Sequence, residues 1–565
     1  MNENNKKHES DTWAAEEARQ ERKERLAQQK DQSGNKKPIK AKGRGRRLVA
    51  IALAVAILLG FFAWFADSMG LRQRHSKAFT VAYDAEASQD KGNKEQATAA
   101  EATEGELKGE AIGSVSVAEA NIYLGLVSQQ FLQGGAFSQT GQDMLSKPSQ
   151  FNPNGTLRDD MLLTIENQAK VATYLWWKAT QEGYELDEAD AQNLDMIIQQ
   201  YSSIASQSQV TLSHYLSVMF GPGVNEKVFR EFFSKNQLGN KYYRDVYAGF
   251  TYDDATIDAK YEADPDNYNR VDFRSYLFTA EVPENKTDDT KAASGETTDK
   301  AKDQAENQEK EPDKAKAKAD ADAFAAQVKD AEDFKKQAAV LDSKKAAQDK
   351  NDQQAQAKQN ADSSLTKGAR KLNLGGELAS WLFAGDRKAN DVTVIEEPSG
   401  YRVVMFMEKY KPTDIGSYTS RHILFQIKED DVEKTDEKMK AKAEEVLAQY
   451  KAGDQSEEAF AKLATELSDD KASAVNGGLT EDIRPGQFVA EYDKYCTDPA
   501  RKNGDVEIVK TDHGYHIIYF ISSTEQWKTD IIDELRHADE QKFMSDLQAK
   551  TSIHREKGIK LFGRP

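Results

Sequence analysis

The chain has 565 residues, 77 Lys and Arg against 95 Asp and Glu, a formal net charge of −18 and 38% hydrophobic residues. With a mean hydropathy of −0.77, it is too polar for a polytopic membrane protein, and its acidity argues against a general nucleic-acid binder, which needs a basic face. The one cysteine, Cys496, excludes an intrachain disulfide framework and any Cys-rich zinc module.

Taken in chain order, residues 1–47 form a basic tail with 14 Lys and Arg against 8 Asp and Glu. Leu48 to Ala66 reads LVAIALAVAILLGFFAWFA, 19 residues without a charge. As a helix this is about 28 Å long, close to a hydrocarbon core of about 30 Å. The cations Lys36, Lys37, Lys40, Lys42, Arg44, Arg46 and Arg47 precede it, so the positive-inside rule keeps the N-terminus cytoplasmic and exports the rest. A cleaved signal peptide usually has a shorter apolar core and a shorter leader. The expectation is therefore a single-pass anchor in the cell membrane with an extracytoplasmic body. That body, residues 67–565, has 63 Lys and Arg against 87 Asp and Glu, an acidity that favours solubility.

Residues 67–115, poor in large apolar side chains after Asp84, read as a linker. From 116 to 266 the apolar residues recur at helical spacing, as in Ile122, Leu124, Val127 and Phe131, and again in Val228, Phe229, Phe232 and Phe233. A mostly helical domain with an aromatic core is expected there. Charged, alanine-rich sequence at about 283–320 and 343–368 reads as an insertion, with a short amphipathic piece, Phe324, Val328, Phe334 and Ala338, surviving between the two parts.

An internal repeat follows. Trp381 to Val404 aligns without gaps on Tyr495 to Ile518: Arg387-Lys388 on Arg501-Lys502, Asp391-Val392 on Asp505-Val506, Gly400-Tyr401 on Gly514-Tyr515. Upstream, Arg274 to Phe278 matches Arg421 to Phe425. Two copies of one α+β unit are expected, at 267–409 and 412–522, with a C-terminal helical segment at 523–565. In the second copy, Arg421 to Gln426 reads as a strand, Met439 to Tyr450 as a helix stopped near Gly453, and Ser456 as the cap of a second helix. Asp512-His513-Gly514 is a hairpin turn between two β-rich runs. The fold class is thus α+β and multidomain.

At Arg421-His422-Ile423-Leu424 and His513-Gly514-Tyr515-His516-Ile517-Ile518 the second copy resembles a parvulin-type peptidyl-prolyl isomerase. Phe460 to Ala464, Ser468-Asp469-Asp470, Gly477-Gly478-Leu479 and Gly486-Gln487-Phe488 carry the likeness between those ends. Residues 116–545 resemble the PrsA-type foldases and SurA-type chaperones, where a helical chaperone domain accompanies parvulin units. The resemblance implies that His422, Asp470, His513 and His516 are catalytic and that Leu479, Phe488 and Tyr492 form the proline pocket. It also implies that the substrates are unfolded, proline-containing exported polypeptides, with no cofactor, metal or nucleic acid.

Three departures stand out. Gly477-Gly478-Leu479-Thr480 replaces the usual Gly-Gly-Asp-Leu-Gly, one extra residue separates Leu479 from Phe488, and His513 replaces a small hydroxyl residue. Plainer readings exist for several positions. A buried histidine often serves only as a structural hydrogen-bonder, Asp469 and Asp470 could each be a helix-end charge, and Phe488 and Tyr492 could be ordinary core. His513 and His516 suggest a metal pair, but residues three apart on a strand face opposite ways. In the first copy Ser275 and Arg402 stand in place of His422 and His516, so that copy is expected to be catalytically silent. The alternative for the whole chain is a holdase that uses both parvulin folds only to bind peptide.

Overall fold

The computed structural model describes residues 20–24, 70–87, 109–129, 132, 135–149, 151–280, 314–348, 362–428 and 430–564. The predicted membrane span, 48–66, and all of the basic tail except residues 20–24 lie outside them. Among the described residues no helix is long and apolar enough to cross a membrane.

Residues 67–115 hold more than the expected linker. After a short helix α1 (Leu71–His75), strand β1 (Lys77–Tyr83) buries Ala78, Phe79, Val81 and Ala82. It pairs antiparallel with β2 (Glu110–Ser116) and, on its other edge, with Thr551–Arg555 from the end of the chain. The run AFTVAY is apolar and partly β-branched, as a central strand requires. Its partners lie far away in sequence, so local composition alone made the region look unstructured.

Helices α2 (Val117–Ser128), α3 (Gln139–Leu145), α4 (Leu157–Gln181), α5 (Glu188–Gln207), α6 (Leu212–Phe220), α7 (Glu226–Ala248) and α8 (Asp254–Ala263) follow. Their starts are written in the sequence. Ser116 caps α2 with Glu119 returning the bond, and Asp187, Asn225 and Asp253 accept from the first turns of α5, α7 and α8. The expected aromatic core is present: Phe220 and Phe229 are fully buried beside Ile122, Leu124 and Ile165. Phe562, from the chain's end, completes it.

The two copies of the repeat have one topology. The first contains β3 (Arg270–Thr279), α9 (Lys314–Gln327), α10 (Ala331–Gln348), β4 (Leu365–Arg370), α11 (Gly376–Leu382), β5 (Val392–Glu397) and β6 (Gly400–Tyr410), with sheet order β4-β3-β6-β5. The second contains β7 (Ile415–Gln426), α12 (Asp436–Ala452), α13 (Glu457–Leu467), α14 (Lys471–Ala474), β8 (Leu479–Ile483), α15 (Ala490–Cys496), β9 (Val506–Thr511) and β10 (Gly514–Glu525), with order β8-β7-β10-β9. The shared Gly400 and Gly514 have φ of 150° and 138°, and a Cβ on either would lie 2.0 or 2.1 Å from a carbonyl oxygen of the neighbouring strand. The hairpin therefore demands glycine in both copies.

The charged insertion is shorter than its composition suggested. Residues 314–320 belong to α9, where Ala317, Ala321 and Phe324 form a buried stripe, and 365–368 belong to edge strand β4. Small alanines at helical spacing pack closely on the sheet even though charges fill the other faces. The segment 523–565 likewise is not all helix. Helix α16 (Gln526–Lys550) leads into β11 (Thr551–Arg555), the strand that joins β1. The chain therefore leaves the second copy along α16 and returns to the helical block.

Candidate active site

The second copy's sheet has two unlike faces because side chains alternate along each strand. Ile423, Phe425, Tyr515, Ile517 and Tyr519 face α12 and α13, where Phe460, Ala464 and Val446 cover them. On the other face Tyr418, Ile518 and Phe520 pack under α15 with Tyr492, Tyr495 and Cys496. His422 and His516 share this second face, on the two central strands and two residues apart in register: His422 pairs with Ile518, and His516 with Leu424. Their exposures are 2% and 4%, so any proton they hold must be matched by a partner.

The partners form one chain. His422 Nδ1 lies 3.2 Å from His516 Nδ1, with the rings stacked at 21°. His422 Nε2 lies 2.9 Å from an Asp470 carboxylate oxygen and 2.9 Å from Ser473 Oγ, while His516 Nε2 lies 3.1 Å from Thr511 Oγ1. The carboxylate can only accept, so His422 Nε2 carries the proton and a neutral His422 accepts at Nδ1. His516 then donates from Nδ1 and accepts the Thr511 hydroxyl proton at Nε2. In this tautomer set every ring nitrogen of the pair has a partner.

The bond to His422, reinforced by Ser473, holds the Asp470 carboxyl well below the usual carboxylate range. Burial above all, with the nearby His422 and His513 adding to it, pushes His516 down to about 3, so it stays neutral. The Cys496 thiol beneath the face is pushed up to about 12 by burial, which makes it inert packing.

Local structure explains why these groups meet. Asp470 caps α14 by accepting from Ala472 N at 3.1 Å, which points its second oxygen at His422. The neighbouring Asp469 instead accepts from Gln426 N and pairs with Lys434, stitching the loop to β7. Gly478, at φ +71°, accepts at its carbonyl from His422 N at 2.9 Å, and a Cβ there would lie 2.2 Å from His422 O. Only glycine lets β8 start so close to the histidine strand.

Two residues implied by the resemblance take no part in this hydrogen-bonded chain. His513 is exposed at the hairpin turn, and the hydroxyl bonded to His516 is that of Thr511. Thr511 pairs with Gly514 and Val509 with His516, so strand parity alone puts Thr511 on the histidine face. Leu479 pairs with Arg421, whose guanidinium reaches Glu457 on the α13 side. Pleating sends Leu479 to that side and brings Thr480 to the histidine face, where its hydroxyl meets Ser420 Oγ at 3.0 Å. No sequence pattern signals Ser473, because a loop rather than a repeating element positions it.

The aromatic residues lie beside the pair. Phe488 stacks on Tyr492 at 4.7 Å and 20°, and their ring edges meet His422 at 6.2 and 5.7 Å. Tyr492 is fully buried, its hydroxyl bonded to Ser420 at 2.9 Å, whereas Phe488 is half-exposed. Phe488 is thus the accessible ring of the recess and Tyr492 its buried floor. In the first copy Arg402 donates to Ser275 and pairs with Glu397, the counterpart of Thr511, so an ion pair fills the place of the histidine chain.

A four-stranded antiparallel sheet with paired central-strand histidines, two helices behind and an aromatic recess in front is a parvulin-type unit. Residues 422–522 match the rotamase family model, the PPIC-type PPIASE domain. A parvulin-like PPIase of Rickettsia conorii is 41% identical over 105 residues, 17% of this chain and 36% of that protein. Foldase protein PrsA 1 of Listeria innocua is 33% identical over 120 residues, 21% of this chain and 35% of its own length. Chaperone SurA of Shewanella frigidimarina is 29% identical over 175 residues, 30% of this chain and 38% of that protein. The second copy is therefore a peptidyl-prolyl cis-trans isomerase domain, in a chain that spans about a third of the length of the curated relatives it matches.

Proposed function

We propose that the protein is a membrane-anchored, extracytoplasmic foldase that binds unfolded exported chains and isomerises their X-Pro bonds at the second parvulin unit. The observation that carries this reading is the continuous chain Thr511–His516–His422–Asp470/Ser473 set beside the half-exposed ring of Phe488. Amide resonance puts the rotation barrier at about 18–20 kcal/mol. Rotation breaks that resonance without a nucleophile, a metal or a covalent intermediate. What is needed is a grip on the proline ring and a polar surface that favours the twisted amide over the planar one. Phe488, on the Tyr492 floor, grips the ring, and Asp470 and the histidine chain supply the fixed polar surface. The first copy keeps the sheet without the histidines and serves as a binding or spacing unit.

Anchoring is supported by the uncharged run Leu48–Ala66 after a basic tail, and client binding by likeness to a foldase and a chaperone. The test is proline-limited refolding of an unfolded client with the full chain in detergent. Acceleration that Asp470→Ala removes supports the foldase. Aggregation suppression without acceleration supports the holdase instead.

A further inference from the structure

The proline-pocket residue Phe488 sits at the end of a loop held partly by the second copy's own hydrogen bonds and partly by α16. The loop leaves the end of β8, where Asp482, a non-glycine residue at φ +51°, donates its backbone N–H to Thr419 Oγ1 at 3.3 Å. Two crossed ion pairs tie it to α16. Arg484 Nη2 reaches both oxygens of Asp533, at 2.5 and 2.7 Å, and Arg536 Nη1 reaches Asp482 at 2.5 Å. Arg484 N also donates to Gln487 Oε1 at 2.8 Å, so fixing Arg484 fixes the residue before Phe488. At the far end Gly486 N and the Tyr418 hydroxyl both bind Asp493 of α15, at 2.5 Å each.

Helix α16 is itself held by the helical block and by Tyr268 in the connector that leads to β3. Tyr252 donates to Asp539 and Tyr268 to Glu534, each at 2.8 Å, and Arg536 Nε donates to Phe250 O at 3.3 Å. Arg536 therefore touches the pocket loop with one nitrogen and the helical block's C-terminal end with another.

We propose that Asp533 and Arg536 are positioning residues for the isomerase site: through Arg484 and Asp482 they set where Phe488 stands, so the pocket is complete only when α16 is docked. The inference rests on the isomerase reading above. Neither residue touches the reacting bond, and their effect is expected in peptide affinity rather than in the rotation step.

The test uses the full chain and a short peptide with an apolar residue before its proline. NMR exchange spectroscopy separates the peptide Kd from the isomerisation rate of the bound form. In the neutral variant Asp533→Asn/Arg536→Gln the Kd is expected to rise roughly threefold to tenfold, what two partly exposed ion pairs supply, with the bound-state rate within about twofold. The swap Arg484→Asp/Asp533→Arg should keep Kd closer to the wild-type value than either single change. As an independent measure, salt raised from about 0.05 M to about 0.5 M should weaken binding in the wild type and not in the neutral variant. An unchanged Kd in the neutral variant, or equal salt dependence in both proteins, overturns the proposal. Peptide that binds the wild type without faster exchange removes the isomerase reading and this inference with it.

Discussion

Acidifying the second parvulin unit should cost stability through His516 in a definite window. The unfolded histidine titrates near 6.5, and in the folded unit His516 titrates at about 3, chiefly because it is buried. Its lowered value means that the folded unit refuses a proton that the unfolded chain accepts. The stabilisation is complete above pH about 6.5, falls by about 1.4 kcal/mol per pH unit as acid is added, and levels off only near pH about 3. Between pH about 7 and about 5 the loss comes to about 2 kcal/mol. Hydrogen exchange of the β10 amides Ile517 and Ile518, corrected for the intrinsic pH dependence, reads this opening free energy within the whole chain. The control is His516→Gln, which keeps a hydrogen-bonding side chain but cannot titrate. The wild type should lose about 2 kcal/mol more protection than the control over the interval. Equal losses in both proteins would refute the reasoning.

Other outcomes follow from the same geometry. Thr511→Val keeps the shape but leaves His516 Nε2 without its donor, and denaturant unfolding should show a loss of about 1–3 kcal/mol for this buried nitrogen. Phe488→Ala removes the partly exposed ring proposed to grip the proline, so peptide Kd in a titration should weaken by about tenfold, with Phe488→Leu intermediate. Arg402→Ala breaks the ion pair that stands for the histidine chain in the first copy. Isomerisation by the full chain should stay within about twofold of wild type, and the stability loss should remain below about 1 kcal/mol because the pair is partly exposed.

The repeat was legible because two hairpins need the same glycine and two helices need the same apolar stripe, and both requirements leave marks in linear sequence. The histidine pair was legible for a related reason, since its members sit at fixed places on central strands. Where the reading misplaced residues, parity and distance were responsible. Leu479 looks like the pocket residue by type, yet the pairing of Thr480 with Ser420 puts the threonine on the histidine face. His513 occupies an expected position in a short motif and lies exposed in the turn, near enough to act on His516, while the hydroxyl bonded to His516 comes from Thr511. Strand β1 was missed because both of its partners are remote, one of them at the end of the chain, and no local pattern records such a pairing. The Ala317–Ala321 stripe was hidden by the lysines and acids around it.

The central claim is that the second unit accelerates X-Pro isomerisation through the Asp470-anchored histidine chain. The direct measurement is the cis-trans exchange rate of a proline peptide with the full chain, for the wild type and for Asp470→Ala, with folding of both checked by circular dichroism. The account expects clear acceleration by the wild type and a loss of at least about tenfold in the variant, the scale of removing one fixed polar group from a site. A folded wild type that leaves the exchange rate at its spontaneous value, or a variant as fast as the wild type, would contradict it.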